Sequence, residues 1–363
     1  MSHYTASLPY THGTLPRIGV LLVNLGSPDA PTVPAVRAYL KEFLLDPRVV
    51  EIPRPLWRLI LHGFVLRTRP KASAARYAQV WLADGAPLKV HTDRQTTLLR
   101  GYLGERVKLA LTVDYAMRYG APSIAAKIAE LNARRCDRIL LVPLYPQYAS
   151  STTATACDAA YAALCTLRDQ PAIRTVRDFH DHPGYISALA QTVRDYWTKH
   201  GRPDCLLMSF HGAPRFTLEK GDPYHCQCQK TARLLADALQ LTREQWQITF
   251  QSRFGAAEWF QPYTAETLTA LGKSKVRRVD VICPGFVSDC LETLEEIAIE
   301  GKRLFLQAGG AEFHYIACLN ERDDWIRALT DIVLRHLLGW TGSPSPEELE
   351  NTRLRAMAMG ARS

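Results

Sequence analysis

Short apolar runs alternate with amphipathic segments of helical length along the chain, and this alternation constrains the fold more than any other feature. The strand-like runs lie at residues 18–24, 107–113, 138–143, 205–210, 248–252, 279–283 and 312–316. Helical patterns separate them, for example at residues 123–131, 185–199, 224–239 and 325–338. Strands that alternate with helices are typical of βαβ units, which build parallel sheets covered by helices. The sequence therefore predicts an α/β fold.

The chain also carries a weak internal repeat. GVLLVNLGSPDA (19–30) resembles DCLLMSFHGAPRF (204–216), because each is an apolar strand followed by Gly, a small residue and Pro. In the same way ILLVPLYPQYASSTTATA (139–156) parallels VDVICPGFVSDCLETLEE (279–296). Such a repeat predicts two similar domains. We assign residues 1–16 to an N-terminal arm, 17–182 and 183–340 to the two domains, and 341–363 to a tail.

Length and composition suit a cytoplasmic protein with two cores. The chain has 363 residues, of which 47% are hydrophobic and 22% charged, and it has no apolar run as long as a membrane span. It begins without a secretory signal pattern, and its nine cysteines mostly lie in apolar runs, as expected for reduced thiols. The net charge of +8 is scattered and forms no basic helix, so we do not predict binding to nucleic acid.

A histidine stands where a buried strand ends. His211 follows the apolar run at 205–210 and precedes the bend Gly212-Ala213-Pro214. Ligands of parallel α/β sheets bind beyond the carboxyl ends of the strands. An imidazole there can accept a proton or bind a metal ion. The alternative is a half-buried imidazole satisfied by a backbone carbonyl, but the position at the strand end favours a functional role.

A file of acidic residues follows a later buried strand, in SDCLETLEEIAIEGKR (288–303). Glu292, Glu296 and Glu300 recur every four residues, so a helix places them roughly along one face, and Ser288 or Asp289 can cap the start of that helix. A solvated acidic face is the commonest fate of such a run. Here the apolar residues between the carboxylates must face a core. Together with His211, the file predicts an open, weakly held site for a divalent metal ion that can leave again.

Other motifs are interpreted as structural. The histidines of His180-Asp181-His182 fall in a predicted loop without partner ligands nearby, so we predict a solvated turn. Cys226 and Cys228 form a lone C-x-C, which is weak evidence for a metal site. The glycine-rich phosphate loops of common nucleotide-binding proteins do not occur.

Segments along nearly the whole chain resemble the ferrochelatases, enzymes that insert ferrous iron into a porphyrin at the end of haem synthesis. The matching segments are GVLLVNLGSPDAP (19–31), GAPL (85–88), LYPQYASSTT (144–153), SFHGAP (209–214), KGDPYHCQC (220–228), QSRFG (251–255) with Trp259, and SDCLETLEEI (288–297). Each match is weak alone, and together they are highly specific. The resemblance implies two Rossmann-like domains around a porphyrin cleft. It implies protoporphyrin IX and Fe²⁺ as substrates, with no permanently bound cofactor.

The resemblance also implies roles for the candidate residues. His211 and Glu292 would face the macrocycle, and Glu296, Glu300 and Asp289 would form a path for protons or metal beneath them. We favour His211 as the acceptor of the pyrrole protons and Glu292 as the group that holds or hands over Fe²⁺. The reverse assignment, with Glu292 as the base and His211 as the metal ligand, stays open.

Three further residues are candidates for substrate binding, and two of them, Arg118 and Trp259, match positions of the family. Arg118 would pair with a propionate, Tyr119 stands beside it in the chain, and Trp259 would form a wall of the pocket. Two residues before Glu292, where many members carry His, this chain has Cys290.

Some members of the family bind an iron–sulfur cluster through C-terminal cysteines. No cysteine follows Cys318 in this chain, so we expect no iron–sulfur cluster, although Cys226 and Cys228 keep the question open.

Residues 53–68 would form a lip of the cleft. Their apolar run is typical of a core-packed helix, and the resemblance suggests instead peripheral contact with the inner membrane. The polar tail at 341–363 is expected to be poorly ordered. The sequence does not predict an oligomeric state.

Two other functions fit the same residues. The first is a related chelatase that uses coproporphyrin or another divalent metal. The second is a non-catalytic carrier of a tetrapyrrole or a metal. His211 and the carboxylate file argue against a carrier, because a carrier does not need a proton acceptor.

Overall fold

The protein contains two four-stranded parallel sheets. Its computed structural model describes residue 4 and residues 9–255, 257–342 and 344–362. The first sheet has the order β2-β1-β3-β4, with β1 (Ile18–Asn24), β2 (Leu111–Met117), β3 (Arg138–Pro143) and β4 (Ala172–Thr175). The second has the order β6-β5-β7-β8, with β5 (Cys205–His211), β6 (Trp246–Gln251), β7 (Arg278–Ile282) and β8 (Glu312–Tyr315). The predicted α/β fold with two Rossmann-like domains is confirmed.

Helices cover both sheets. Those before the second sheet are α1 (Val33–Leu44), α2 (Arg54–Ile60), α3 (Leu66–Val80), α4 (Pro87–Arg106), α5 (Ile124–Ala133), α6 (Thr155–Leu164) and α7 (Pro183–His200). Those after β5 are α8 (Phe216–Glu219), α9 (Tyr224–Leu239), α10 (Thr264–Lys273), α11 (Lys302–Gln307), α12 (Asp323–His336) and α13 (Pro346–Ala358). The described chain also contains π-helical segments at Leu61–Val65, Ser150–Ala154 and Glu292–Gly301, and a short 3₁₀ turn at Arg243–Gln245.

The two halves share one apolar core, which contains buried residues of both sheets. Helix α7 packs towards the second sheet, where the indole nitrogen of Trp197 donates to the Asp280 carboxylate of β7 at 2.9 Å. Helix α12 packs towards the first sheet, where Arg174 of β4 donates to the His336 carbonyl at 2.9 Å. Because α7 packs towards the second sheet while α12 packs towards the first, the sheets are held in one packed body.

The largest departures from the predicted strands are at β2 and β4. β2 occupies Leu111–Met117 and not 107–113, because α4 continues to Arg106 and the pairing with β1 begins at Leu111 opposite Ile18. β4 was not predicted. It is a four-residue edge strand, too short to give a clear periodic pattern.

The tail also differs from its predicted disorder. Residues 346–358 form α13, whose start is closed by a capping box: the Ser345 hydroxyl accepts from the Glu348 amide at 3.1 Å, and the Glu348 carboxylate accepts from the Ser345 amide at 2.7 Å. The helix lies against the N-terminal arm, since a side chain at Gly13 would meet the Leu349 carbonyl at 2.7 Å. The expectation of disorder does not hold for this segment, because the S-x-x-E capping signal favours a helix that the polar composition does not reveal.

Candidate active site

The candidate site lies where three neighbouring strands of the second sheet end. β5 is the inner strand of this group, with β6 on one side and β7 on the other, and all run parallel. His211 is the last residue of β5 and lies opposite Gln251, the last residue of β6. The chain after β7 leads into the π-helical segment Glu292–Gly301. The fold therefore brings His211 and the start of the acidic file to one sheet edge.

The hydrogen bond of His211 identifies which ring nitrogen is free. Its Nδ1 lies 2.7 Å from the Gly212 carbonyl oxygen, which can only accept. Nδ1 therefore carries the proton in the neutral ring, and Nε2 carries the lone pair. The backbone is held as well, because the Tyr224 hydroxyl donates to the His211 carbonyl at 2.8 Å. This partly buried imidazole is thus oriented with Nε2 available as a base or ligand.

The bend after His211 is built around an aromatic ring. A Cβ at Gly212 would lie 2.9 Å from the Trp259 ring and 2.8 Å from the Gln251 carbonyl oxygen, so only glycine fits. Trp259 pairs with Pro214 in an isolated β-bridge, and its ring centroid lies 6.5 Å from that of His211. Phe286 lies at the same centroid distance from His211. The glycine is therefore structural, and it admits the aromatic groups that flank the imidazole.

Ser252 holds the carboxylate of Glu296. Ser252 has φ +65°, in the left-handed region that residues other than glycine rarely adopt. This conformation turns its amide and its hydroxyl towards Glu296, at 2.6 Å and 2.5 Å. The left-handed residue therefore fixes a carboxylate of the predicted file.

The charges around Glu296 show which site residues are close to it. Burial raises the pKa of Glu296 above its ordinary value. The hydrogen bonds from Ser252 and the nearby His211 oppose this rise in pKa, and the Glu292 carboxylate adds to it. The structure thus brings His211, Glu292 and Glu296 together.

The Glu292 carboxylate affects two neighbouring groups, the Cys290 thiol and the Tyr77 hydroxyl. Burial, followed by the nearby Glu292 carboxylate, raises the pKa of the Cys290 thiol well above its ordinary value. Burial and then Glu292 likewise raise the pKa of the Tyr77 hydroxyl. Cys290 therefore remains a protonated thiol beside Glu292.

Asp289 and Glu300 do not join this group. The buried Asp289 carboxylate accepts from the Thr293 hydroxyl at 3.0 Å, the Tyr315 hydroxyl at 2.5 Å and the Asn320 amide at 2.6 Å. Glu300 lies at the surface, where it accepts two hydrogen bonds from Arg303, and these hydrogen bonds lower its pKa.

The two cysteines of the C-x-C motif differ in burial. On α9, Cys226 is exposed whereas Cys228 is buried, so the two sulfurs face different surroundings. Among the described residues, no group of three or more His, Cys, Asp or Glu side chains is placed to hold a metal ion.

The predicted substrate residues of the first domain form an internal network. Arg118 donates to the Asp46 carboxylate at 2.5 Å and to the Thr155 hydroxyl at 2.7 Å. The fully buried Tyr119 also donates to Asp46, at 2.9 Å. Burial opposes ionisation of Asp46, but hydrogen bonds from Thr155, the Arg48 amide and Tyr119, with the charge of Arg118, lower its pKa overall. Arg118 is thus already paired, and Tyr119 does not reach a surface.

Sequence reasoning missed several residues of the site. Gln251 and Ser252 lie in the QSRFG segment, but nothing in the pattern indicated that they contact the acidic helix. Nothing in the sequence indicated Tyr77.

The Tyr145 hydroxyl and the Trp259 indole nitrogen are buried without a hydrogen-bond partner in the described structure. Such unpaired donors are costly in an apolar interior, which suits a place that a ligand completes.

The lip segment has one buried and one exposed apolar side. Trp57, Leu61 and Val65 pack into a small cluster. Leu59 and Phe64 on the other side are 74% and 66% exposed. No helix in the described parts of the chain combines the length and the apolar character needed to cross a bilayer.

Comparisons with known proteins give the family. A structure of SirB from Bacillus subtilis with Fe³⁺ aligns at 11% identity with a TM-score of 0.49, covering 88% of this chain and 95% of that one. Curated relatives share far more sequence. A ferrochelatase from Aromatoleum aromaticum is 60% identical over 99% of this chain and 100% of its own length. One from Nitrosomonas europaea is 58% identical over 97% of each chain.

The match extends to a family description of the whole fold. The ferrochelatase family model matches residues 17–337, which include both sheets and every residue of the candidate site. The chain belongs to the ferrochelatase family.

Proposed function

We propose that this protein inserts Fe²⁺ into protoporphyrin IX, giving protohaem and releasing two protons. The observation that carries the proposal is the group formed by His211, with Nε2 free, and the carboxylates of Glu292 and Glu296 at the edge of the second sheet. Insertion of a divalent metal needs a base for the pyrrole protons and ligands for the arriving ion. This group supplies both within a chain of the ferrochelatase family.

His211 is the proposed acceptor of the pyrrole protons. Each N–H bond of the macrocycle breaks as the nitrogen binds iron, and the released proton passes to Nε2 of the imidazole. The imidazolium that forms is stabilised by the ionised Glu296 carboxylate, which Ser252 holds in place. Transfer of the proton onward, from His211 to Glu296 or to water, restores the base for the second pyrrole.

Glu292 is the proposed group that delivers iron. Carboxylate oxygens are suitable ligands for Fe²⁺, and Glu292 is the member of the acidic file that lies beside both Cys290 and Glu296. Glu300 marks the outer end of the same segment and carries Arg303 as its counter-ion. An arriving cation must therefore displace Arg303 there, which makes Glu300 the weakest member of the path.

The porphyrin is proposed to lie against the aromatic groups beside His211. Trp259 and Phe286 offer apolar faces to the macrocycle. Binding that favours a buckled ring exposes the nitrogen lone pairs, and apolar contact energy offsets the distortion. A propionate that binds Arg118 would have to share the guanidinium with Asp46.

The proposed reaction is tested by mixing the protein with Fe²⁺ and protoporphyrin IX anaerobically and following the absorbance. Multiple turnovers support an enzyme. Stoichiometric binding without conversion would favour a carrier. Parallel reactions with coproporphyrin, Zn²⁺ and Co²⁺ determine whether another ring or metal is preferred.

We also propose that the lip segment makes peripheral contact with an anionic membrane. Exposed Leu59 and Phe64 stand on a segment that carries Arg54 and Arg58, and apolar side chains flanked by basic ones bind lipid surfaces. Co-sedimentation with vesicles that contain anionic lipid is expected for the native protein and reduced at least about fivefold in Leu59→Ser/Phe64→Ser. Equal binding of both proteins would contradict the assignment of the surface.

A further inference from the structure

We infer that Gln251 is a positioning residue that fixes Glu292 relative to His211. It lies at the meeting point of the two elements that carry these residues, and it touches both through different atoms. The inference concerns the geometry of the proposed reaction and rests on the proposed function.

The backbone of Gln251 fixes the end of the strand that bears His211. Gln251 is the register partner of His211 in the parallel pair of β5 and β6. Its carbonyl oxygen accepts from the Gly212 amide at 2.8 Å, which extends the pairing one residue beyond His211. The imidazole therefore leaves a backbone that is hydrogen-bonded to Gln251 immediately after it.

The side chain of Gln251 fixes the start of the helix that bears Glu292. It is 3% exposed, and its Nε2 donates to the Glu292 carbonyl oxygen at 2.8 Å. Because that oxygen can only accept, the amide orientation is determined: Nε2 faces Glu292, and Oε1 faces the other way.

The other end of the amide returns to the strand of His211. Its Oε1 accepts from the Ser209 hydroxyl at 2.7 Å, and Ser209 lies on β5 two residues before His211. The same oxygen lies 3.6 Å from the Cys283 sulfur, next to the end of β7. One amide therefore connects β5 to the backbone of Glu292, and only a side chain that donates and accepts at this length can make both bonds.

A loss of this connection is expected to affect catalysis more than binding. The backbone of Glu292 would lose its lateral restraint, and misplacement of a reacting group by about 1 Å costs up to about a hundredfold in rate. Trp259 and Phe286, the proposed porphyrin walls, do not hydrogen-bond to the Gln251 side chain, so porphyrin binding is expected to be retained.

The test compares Gln251→Leu with wild type in Fe²⁺ insertion, in porphyrin binding and in Co²⁺ binding to the porphyrin-free protein. We expect kcat to fall at least about tenfold, the porphyrin Kd to change less than about threefold, and the Co²⁺ Kd to rise at least about fivefold. Trp197→Phe is the control, because it removes a buried hydrogen bond to Asp280 in the same domain. It is expected to keep kcat within about twofold of wild type.

Ser209→Ala provides a second variant that preserves the Gln251 side chain and removes the hydroxyl that holds it. It is expected to lower kcat about three- to tenfold, and it decides the question alone if Gln251→Leu does not fold. A wild-type kcat and Co²⁺ affinity in the folded variants would overturn the inference, as would an equal loss in Trp197→Phe. Absence of turnover in wild type would contradict the proposed function, whereas the Co²⁺ measurements would still test Gln251.

Discussion

Removal of the Ser252 hydroxyl is expected to shift the pH dependence of iron insertion. Ser252 makes two hydrogen bonds to Glu296. Ser252→Ala removes the hydrogen bond from Oγ and keeps the hydrogen bond from the backbone amide. A hydrogen bond to a charged group contributes about 1.5–3 kcal/mol. Since one pKa unit corresponds to about 1.4 kcal/mol, the pKa of Glu296, already raised by burial, rises by a further ~1–2 units.

The expected kinetic result is a shift of the acidic limb of the kcat profile towards higher pH by ~1–2 units. The direction follows because ionised Glu296 stabilises the imidazolium of His211, and the variant keeps Glu296 protonated to higher pH. The assay is anaerobic Fe²⁺ insertion from about pH 5.5 to about pH 9. Ser252→Gly is the matched variant, because glycine adopts the left-handed backbone freely and also lacks the hydroxyl.

Thermal unfolding gives a second readout of the same change. The folded-state pKa of Glu296 lies above that of the unfolded chain, so stability decreases as the pH rises from the unfolded to the folded pKa. A further rise in the folded pKa makes the variant lose more stability at about pH 8 than at about pH 5. Thr267→Val removes a hydroxyl that donates to the Tyr263 carbonyl, and it should shift neither profile. Coincident acidic limbs for wild type, Ser252→Ala and Ser252→Gly would refute the role given to Ser252.

Three further predictions concern stability and the metal path. Phe305→Ala empties a fully buried position and is expected to lower the free energy of unfolding by about 3–5 kcal/mol in urea denaturation; a change below about 1 kcal/mol would contradict this packing. Asp46→Asn removes the carboxylate paired with Arg118, and the depressed pKa of Asp46 means that its contribution is lost as the pH falls through that pKa. The variant is therefore expected to unfold about 1–3 kcal/mol more easily at pH 7 and to match wild type in strong acid, as followed by thermal melts. Glu300→Gln is expected to raise the KM for Fe²⁺ less than about threefold and to leave kcat unchanged, because Arg303 already neutralises this exposed carboxylate; a large fall in kcat would place Glu300 in the reaction itself.

Features that depend on periodicity and chain order could be predicted from the sequence. The end of β5 at His211 follows from an apolar run that stops at a Gly-small-Pro bend, and β1 and β3 have the predicted limits. Parallel strands must end at a common edge, so the convergence of His211 with the segment after β7 could also be expected. The spacing of Glu292, Glu296 and Glu300 places them on one side of either an α-helix or a π-helix, so the pattern did not reveal which of the two forms.

Features that depend on side-chain direction could not be predicted. Asp289 and Glu296 look alike in the sequence, yet Asp289 is enclosed by Tyr315 and Asn320 while Glu296 meets His211 and Ser252. That difference depends on the left-handed backbone conformation of Ser252, which no pattern in the sequence predicts.

Contacts between residues far apart in the sequence could not be predicted either. The pairing of Arg118 with Asp46 joins residues far apart in the sequence, and the same holds for Gln251 and Glu292.

The most direct test of the proposed mechanism is single-turnover Fe²⁺ insertion by His211→Ala with porphyrin already bound. Removal of the imidazole takes away the free Nε2, and loss of a general base costs about 10²–10⁴ in rate. The predicted result is a fall of at least about a hundredfold with a porphyrin Kd within about threefold of wild type, and partial recovery of the rate when imidazole is added. Insertion at a near-wild-type rate by His211→Ala would contradict the assignment of His211 as the proton acceptor.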